Sequence, residues 1–209
     1  MFQQTISPEQ HDVLIKLSEF IKTQDKFYLA GGTALALRLG HRRSYDFDFF
    51  TYNNFDTSYY DNVIKINFDG YVTSLSEDTV NGLIKDIGIS FFKYPYKLIR
   101  ATDSFQNIDL ASLEDLASMK FSAVMKRNTK RDFYDLYELF KIFQLSELKN
   151  FILEKYKING NSFYHLTRSL FYFEDADNEA DPVSLNGTTW EMVKNFFLKN
   201  EKKISKAFL

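Results

Sequence analysis

The stretch Phe27–Phe50, FYLAGGTALALRLGHRRSYDFDFF, decides the reading of the whole chain. Phe27 to Ala30 is a short apolar run that ends at Gly31-Gly32, the pattern of a buried strand entering a turn. Glycine lets the backbone turn sharply and come close to a ligand, and Thr33-Ala-Leu-Ala-Leu37 then opens a helix whose first amides lack intrahelical partners. Those amides and the helix dipole attract anions, so a strand–Gly-Gly–helix junction is a natural phosphate seat. Beyond Gly40 a basic loop, His41-Arg42-Arg43-Ser44, leads to Asp46-Phe47-Asp48-Phe49-Phe50. Side chains alternate along a strand, so Asp46 and Asp48 project from one face while Phe47 and Phe49 enter the core on the other. Two such carboxylates repel each other unless a cation lies between them. Magnesium is a hard ion commonly held by one or two carboxylates together with substrate phosphates, which makes this pair a candidate metal site.

Taken singly, each feature has a plain structural reading. Gly31-Gly32 can be a tight turn and nothing more, the two acids can be solvated edge charges, and Ser44 can merely cap its loop. Arg42 and Arg43 can be surface charges, and His41 is better read as a packing or hydrogen-bonding residue than as a metal ligand. Joined at this spacing, the glycines, the basic loop and the acids favour a site for metal and phosphate. A D-x-D pair also serves metal-dependent glycosyltransferases, which is one alternative; a catalytically silent nucleotide-binding module is another.

Composition narrows the class. The 209 residues suit one moderately large domain or a domain with a helical extension, and 44% hydrophobic with 17% aromatic residues is enough for a packed core. The absence of cysteine excludes disulfides and thiolate metal sites. No apolar run approaches the roughly 18–20 residues of a membrane helix, and MFQQTISPEQ does not read as a signal peptide, so the expected setting is the cytoplasm, away from membranes. A formal net charge of −2 argues against a protein coated in basic patches, without excluding local recognition of an RNA end.

Around the central stretch the chain reads as α+β. Ser7-Pro8-Glu9-Gln10 carries a helix cap, a first-turn proline and a capping box, and apolar spacing carries that helix to about Thr23. A helix is expected between Phe55 and Asn67. Tyr71–Leu75 and Leu83–Tyr94 read as strands joined by a hairpin at Asn81-Gly82, and a short strand is expected near Asn107–Leu110. Ser112 caps a helix to about Arg127, with Asn128-Thr-Lys as a turn, and further helices are expected at Arg131–Phe143, from Leu145, at Ser162–Phe173 and at Thr189–Ala207. The acidic piece Glu174–Asp181 is expected to be an exposed loop. On the Ser112 helix, Lys120 shares a face with Leu116, Ala117, Ala123 and Val124, so its ammonium must reach solvent or meet an anion.

The glycines, the basic loop and the acid pair resemble motif I of the polymerase-β-like nucleotidyltransferases. In detail GGTALALRLGHRRSYDFDFF is similar to the AbiEii-type toxin branch, whose pattern is GG-[TS]-A-L-x-L-x-x-G-H-R-x-S-x-D-x-D-x-F. The branch also has a lysine helix followed by R-D-x-x-D-L, matched here by Lys120, Arg127 and Arg131-Asp132-Phe133-Tyr134-Asp135-Leu136. The resemblance covers Phe27–Thr51 and Leu113–Leu139 closely. It implies a polymerase-β-like fold with a mixed sheet and an N-terminal helix over residues 1–111, and a helical region over 112–209 that completes the cleft. It implies transfer of NMP from an NTP to an acceptor hydroxyl with magnesium, or manganese, on Asp46 and Asp48. Gly31, Gly32, Thr33, Arg42 and Ser44 would attend the phosphates, Lys120 would contact the triphosphate, and Asp132 would belong to the active site. An RNA acceptor such as the 3′ end of tRNA, and an antitoxin partner, are further implications. Many polymerase-β-like enzymes place a third carboxylate on a later strand, whereas Ile87-Gly-Ile-Ser-Phe-Phe92 carries no acid and the nearby candidates Asp86 and Asp109 have no motif around them; either Asp132 supplies that role from its helix or the metal alone does.

Overall fold

The computed structural model of the chain describes residues 1–157 and 160–209. Helix α1 (Pro8–Ser18) precedes strand β1 (Tyr28–Ala30), which runs without a spacer into α2 (Gly31–Leu39), and β2 (Phe47–Thr51) follows the basic loop. Helix α3 (Thr57–Asn62) continues as a π-helical turn over Val63–Asn67. Strands β3 (Tyr71–Ser76), β4 (Thr79–Ile84), β5 (Ile87–Lys93), β6 (Asp103–Phe105) and β7 (Ile108–Leu110) come next. The remainder is helical: α4 (Leu113–Arg127), α5 (Lys130–Ile142), α6 (Leu145–Tyr156), α7 (Gly160–Ser169), the single turn α8 (Glu174–Asp177) and α9 (Trp190–Phe208).

The strands form one seven-stranded mixed sheet in the order β3-β4-β5-β2-β1-β7-β6. At its centre β2 runs antiparallel to β1 and parallel to β5, with Asp48 opposite both Ala30 and Ser90. This register sorts side chains by face. Phe47, Phe49 and Phe91 are fully buried on one side, where Phe49 stacks on Phe91 at 5.1 Å and Tyr60 of α3 lies 4.4 Å from Phe91. Asp48, Phe50, Ser90 and Phe92 take the other side, under α4, as the alternation of Asp and Phe predicts.

Local chemistry fixes the ends of the elements. Ser7 caps α1 with its expected capping box to Gln10, but the helix stops at Ser18 and not near Thr23. Phe20 and Ile21 leave the helix to pack on the core, and Thr23–Asp25 forms a separate 3-10 turn. The hairpin expectation at Asn81-Gly82 is corrected. Both residues lie inside β4, and the turns fall at Glu77-Asp78 and at Lys85-Asp86, the latter two residues with φ of 50° and 63°. A two-residue turn with both φ positive matches the twist of the flanking strands, and lysine and aspartate adopt it here despite lacking the usual glycine. Gly82 serves packing: a Cβ there would sit 2.8 Å from the Tyr71 carbonyl and 3.0 Å from Ile64 Cδ1. Strand β6 escaped the sequence reading because three residues with two exposed side chains leave no pattern to find. The acidic piece is also not a plain loop, since Glu174–Asp177 forms a helical turn whose Asp177 accepts from Trp190 Nε1 at 2.6 Å.

Ser112 caps α4 by accepting from the Asp115 amide, and Asn128 ends the helix in the left-handed conformation. Asp115 and Lys155 form a completely buried ion pair at 2.7 Å, and Asp115 also accepts from the Ile99 and Arg100 amides. That carboxylate ties the segment after β5 to α4 and α6.

Candidate active site

The junction of β1 and α2 is made possible by Gly31, whose φ is +67°, a conformation most side chains resist. Its missing side chain matters equally, because a Cβ at Gly31 would lie 2.5 Å from Asp48 Oδ2. The carboxylate of Asp48 therefore rests against the first residue of α2, where unpaired amides gather. Asp46 occupies a similar vacancy on the other side of β2: a Cβ at Gly88 of β5 would be 2.6 Å from its Oδ1. The two acids share a face but lean toward different neighbours, Asp48 half-buried and Asp46 exposed.

The Asp48 carboxylate is poorly solvated. Burial pushes its pKa up; the Lys120 ammonium opposes this, the Asp46 charge adds to it, and Arg127 and the Ser90 hydroxyl pull it down, with a net rise above the ordinary carboxylate value. Among the described residues no group of three or more His, Cys, Asp or Glu side chains is placed to hold a metal ion. Two carboxylates are nonetheless a suitable donor set for a hard divalent cation that completes its shell with water and substrate oxygens, and such a cation would offset the desolvation of the Asp48 carboxylate. The donor chemistry of the two acids thus fits the ion that the sequence implies, with Asp48 in the cavity and Asp46 turned toward Gly88 beside it.

Behind the acids lies a buried ionic network built from the second motif. Asp132 is fully buried and accepts from four donors: Lys120 Nζ at 2.9 Å, Arg127 Nε and Nη2 at 2.7 and 2.9 Å, and Thr129 Oγ1 at 2.7 Å. Asp135, also fully buried, accepts from Arg42 Nε and Nη2 at 2.7 and 2.8 Å, from His41 Nε2 at 2.7 Å, and pairs with Lys120 Nζ at 2.6 Å. Burial would raise both pKa values, yet Lys120 and Arg127 hold Asp132 far below the ordinary carboxylate range, as Arg42 and Lys120 do for Asp135. Lys120 is the hinge of this network. It binds both aspartates and lines the same cavity as Asp48, so the apolar-face lysine of the sequence has met its anions.

The placements differ from expectation in instructive ways. Arg42, expected beside the triphosphate, is 2% exposed and turned inward onto Asp135, and its guanidinium fills the space under Gly32, where a Cβ would lie 2.6 Å from Nη2. Thr33 is buried with its hydroxyl donating to the Asp46 carbonyl and hydrogen-bonded to Ser44 Oγ at 2.8 Å. Thr33 and Ser44 consequently brace the loop that carries Asp46, and what the turn offers a ligand is its amides. Asp132 has no accepting position left open, so it is poorly suited to replace a third carboxylate. Ser90, not an acid, is the β5 residue opposite Asp48. Ser90, Gly88 and Arg127 went without a role in the sequence reading; the alternation Gly88-Ile-Ser90, small residues facing the acids, was the signal for the first two.

Asp48, Gly31, Lys120 and Arg127 line a cavity of about 330 Å³ between the sheet and α4, together with Phe50, Phe92, Leu116 and Met119. Replacing Gly31 by alanine is expected to displace the Asp48 carboxylate and to place alanine at a φ it resists, costing about 1–2 kcal/mol in stability. Chemical denaturation with a matched activity assay checks this: activity should fall much further than stability alone explains.

Titration offers a second check. Asp132 and Asp135 have depressed pKa values in the fold, so their stabilisation is full above the unfolded value of about 4 and is lost as pH falls through the folded values. Asp48 has the opposite sign: its contribution is full below the unfolded value and is lost as pH rises through its folded pKa. Urea unfolding followed from about pH 2 to about pH 8 should show the acid limb in both wild type and Asp48→Asn, with stability above about pH 4 improved in the variant.

Comparison with known proteins bears on the fold and the family. A protein of Aquifex aeolicus, itself uncharacterized, is 36% identical over 95% of this chain and 97% of its own length. The crystal structure of JHP933 from Helicobacter pylori superposes with a TM-score of 0.56 at 19% identity, covering 97% of this chain and 94% of that one. The nucleotidyltransferase toxin MenT4 from Mycobacterium tuberculosis gives 0.58 at 14% identity, covering 96% and 80%. These two likenesses concern the fold. Residues 17–109 and 92–203 match the family described as nucleotidyl transferase AbiEii toxin, Type IV TA system. With the match spanning both the glycine–aspartate strand unit and the lysine–aspartate helices, the chain belongs to the AbiEii nucleotidyltransferase toxin family.

Proposed function

We propose that the chain transfers NMP from an NTP to the hydroxyl of an RNA acceptor, such as the 3′ end of tRNA, with magnesium (or manganese) at Asp46 and Asp48. The observation that carries the reading is the half-buried Asp48 carboxylate set against Gly31 and facing Lys120 and Arg127 within one cavity. A divalent ion there supplies charge neutralisation at the phosphates and Lewis acidity toward the attacking oxygen. The protein's own part is positioning and charge. The amides of Gly31 and Gly32 and the dipole of α2 favour the outer phosphates, and Arg127, held by Asp132 on the cavity wall, adds positive charge near them. Lys120 is held by Asp132 and Asp135, which lock its ammonium at the cavity wall and reduce the reorganisation needed when charge builds on the leaving pyrophosphate. The acceptor hydroxyl attacks the α-phosphorus in line and pyrophosphate leaves. Arg42 acts through Asp135 and supports the turn from beneath.

The test is incubation of the protein with labelled nucleoside triphosphates, RNA and magnesium. Labelled RNA with stoichiometric pyrophosphate is the expected result, abolished by chelation. Label transferred only from nucleotide sugars would support a glycosyltransferase instead, and magnesium-dependent NTP binding without turnover on any RNA would support a silent module. An antitoxin partner would be sought by whether a neighbouring gene product relieves growth arrest caused by the wild-type chain.

A further inference from the structure

The aromatic residues beside Asp48 form a path that leads away from it. In the parallel register of β2 and β5, Phe50 and Phe92 stand one step outward from Asp48 and Ser90 on the cavity face, and Tyr94 follows. Neighbouring rings are close: Phe50 to Phe92 is 5.2 Å, Phe50 to Tyr94 5.4 Å and Tyr94 to Tyr96 5.2 Å between centroids. Phe50 and Phe92 are half-buried and Tyr96 is 38% exposed, so the path opens at the surface. With two residues of strand rise before the first ring, it extends up to roughly 15 Å, more than the nucleoside of one triphosphate covers. Positive charge accompanies its outer part. The exposed Lys97 holds its ammonium 5.2 Å from the ring centroid of Tyr52, itself half exposed, and the exposed Lys126 lines the cavity from α4. Among the described residues neither ammonium is in an ion pair, whereas Lys93 is drawn to Asp78 at 3.4 Å.

We propose that this path receives the acceptor as an unpaired 3′ strand, whose bases stack from Tyr52 and Tyr96 inward while Lys97 and Lys126 meet its phosphates. The proposal rests on the RNA-acceptor reading above. Aromatic faces interleaved with free lysines suit a single strand, since every base has a face to stack. A cavity of about 330 Å³ is of small-molecule size, so a base-paired end cannot reach the acids intact. The Tyr94 and Ser122 hydroxyls both donate and accept, and the path therefore sets no preference among the four bases.

Fluorescence anisotropy of the full chain with RNA hairpins that are blunt, or carry a short unpaired tail at the 3′ or the 5′ end, tests it. The 3′-tailed hairpin is expected to bind about tenfold more tightly than the other two, with tails of A, C, G or U alike within about threefold. Tyr96→Ala should weaken that binding about fivefold or more, and Lys97→Ala should lower the slope of log K against log salt by about 0.7. Equal binding of the blunt or the 5′-tailed hairpin, a strong base preference, or no change in the folded variants overturns the path. Labelling of the same RNAs from NTP, measured in parallel, then shows that the transfer reading still stands; absence of both binding and labelling overturns both. Should Tyr96→Ala not fold, Tyr52→Ala combined with Lys97→Ala decides, since both residues are exposed.

Discussion

Asp48→Asn is expected to lower nucleotidyl transfer by about 10³-fold or more while leaving the melting temperature unchanged or raised. The loss follows from chemistry: the amide keeps the shape but not the charge, and a hard divalent ion is then left with one carboxylate from Asp46. The retained stability follows from the environment. Asp48 is half-buried, with its pKa raised by desolvation and by the Asp46 charge, so as an anion it works against folding at neutral pH. Neutralising it removes that opposition, although Lys120 and Arg127 lose a favourable neighbour. Because Lys120 and Arg127 both retain Asp132, neither is stranded. Thermal unfolding with and without magnesium makes the check specific: added magnesium should stabilise the wild type and have little effect on the variant. A marked fall in melting temperature for Asp48→Asn, or near-normal turnover, would contradict the placement of this acid at the reacting phosphate.

Much of this site was legible in the sequence because its elements are local. The capping box at Ser7, the β1–Gly31 junction and the Asp-Phe alternation of β2 each depend on residues a few positions apart, and the structure reproduces them. What could not be read is which polar side chain meets which. The direction of Arg42 depends on Asp135, 93 residues later, and a basic loop beside an acid pair gives no sign that its guanidinium turns inward. Thr33 and Ser44 are similar: hydroxyls near a phosphate seat look like ligands until the Asp46 carbonyl is found to claim one of them. The hairpin misreading at Asn81-Gly82 has the same origin. The dipeptide favours a turn locally, but Gly82 is required by the Tyr71 carbonyl of β3 and by Ile64 of the π-helical segment, a tertiary demand that local preference does not contain.

Asp135→Ala is expected to be the most destabilising single substitution at the site, at about 3–5 kcal/mol. The side chain is fully buried and accepts two hydrogen bonds from Arg42, one from His41 and an ion pair from Lys120. Truncation leaves the Arg42 guanidinium, itself 2% exposed, without its anion in a place water does not reach. Lys120 still has Asp132 at 2.9 Å, so the cost falls mainly on Arg42. Against a typical domain stability of about 5–15 kcal/mol, a loss of that size leaves a marginal fold. Two further variants separate charge from contact. Asp135→Asn keeps the volume and one acceptor and should cost less, while Arg42→Met combined with Asp135→Ala should recover part of the loss, because the stranded cation is gone. The readout is urea unfolding, with transfer measured on whichever variants stay folded. If the ionic network only holds the fold, the double variant regains activity in step with stability. If Asp135 also fixes Lys120 and the Gly32 turn for catalysis, stability returns and activity stays low, with the deficit in kcat and not in KM for the triphosphate.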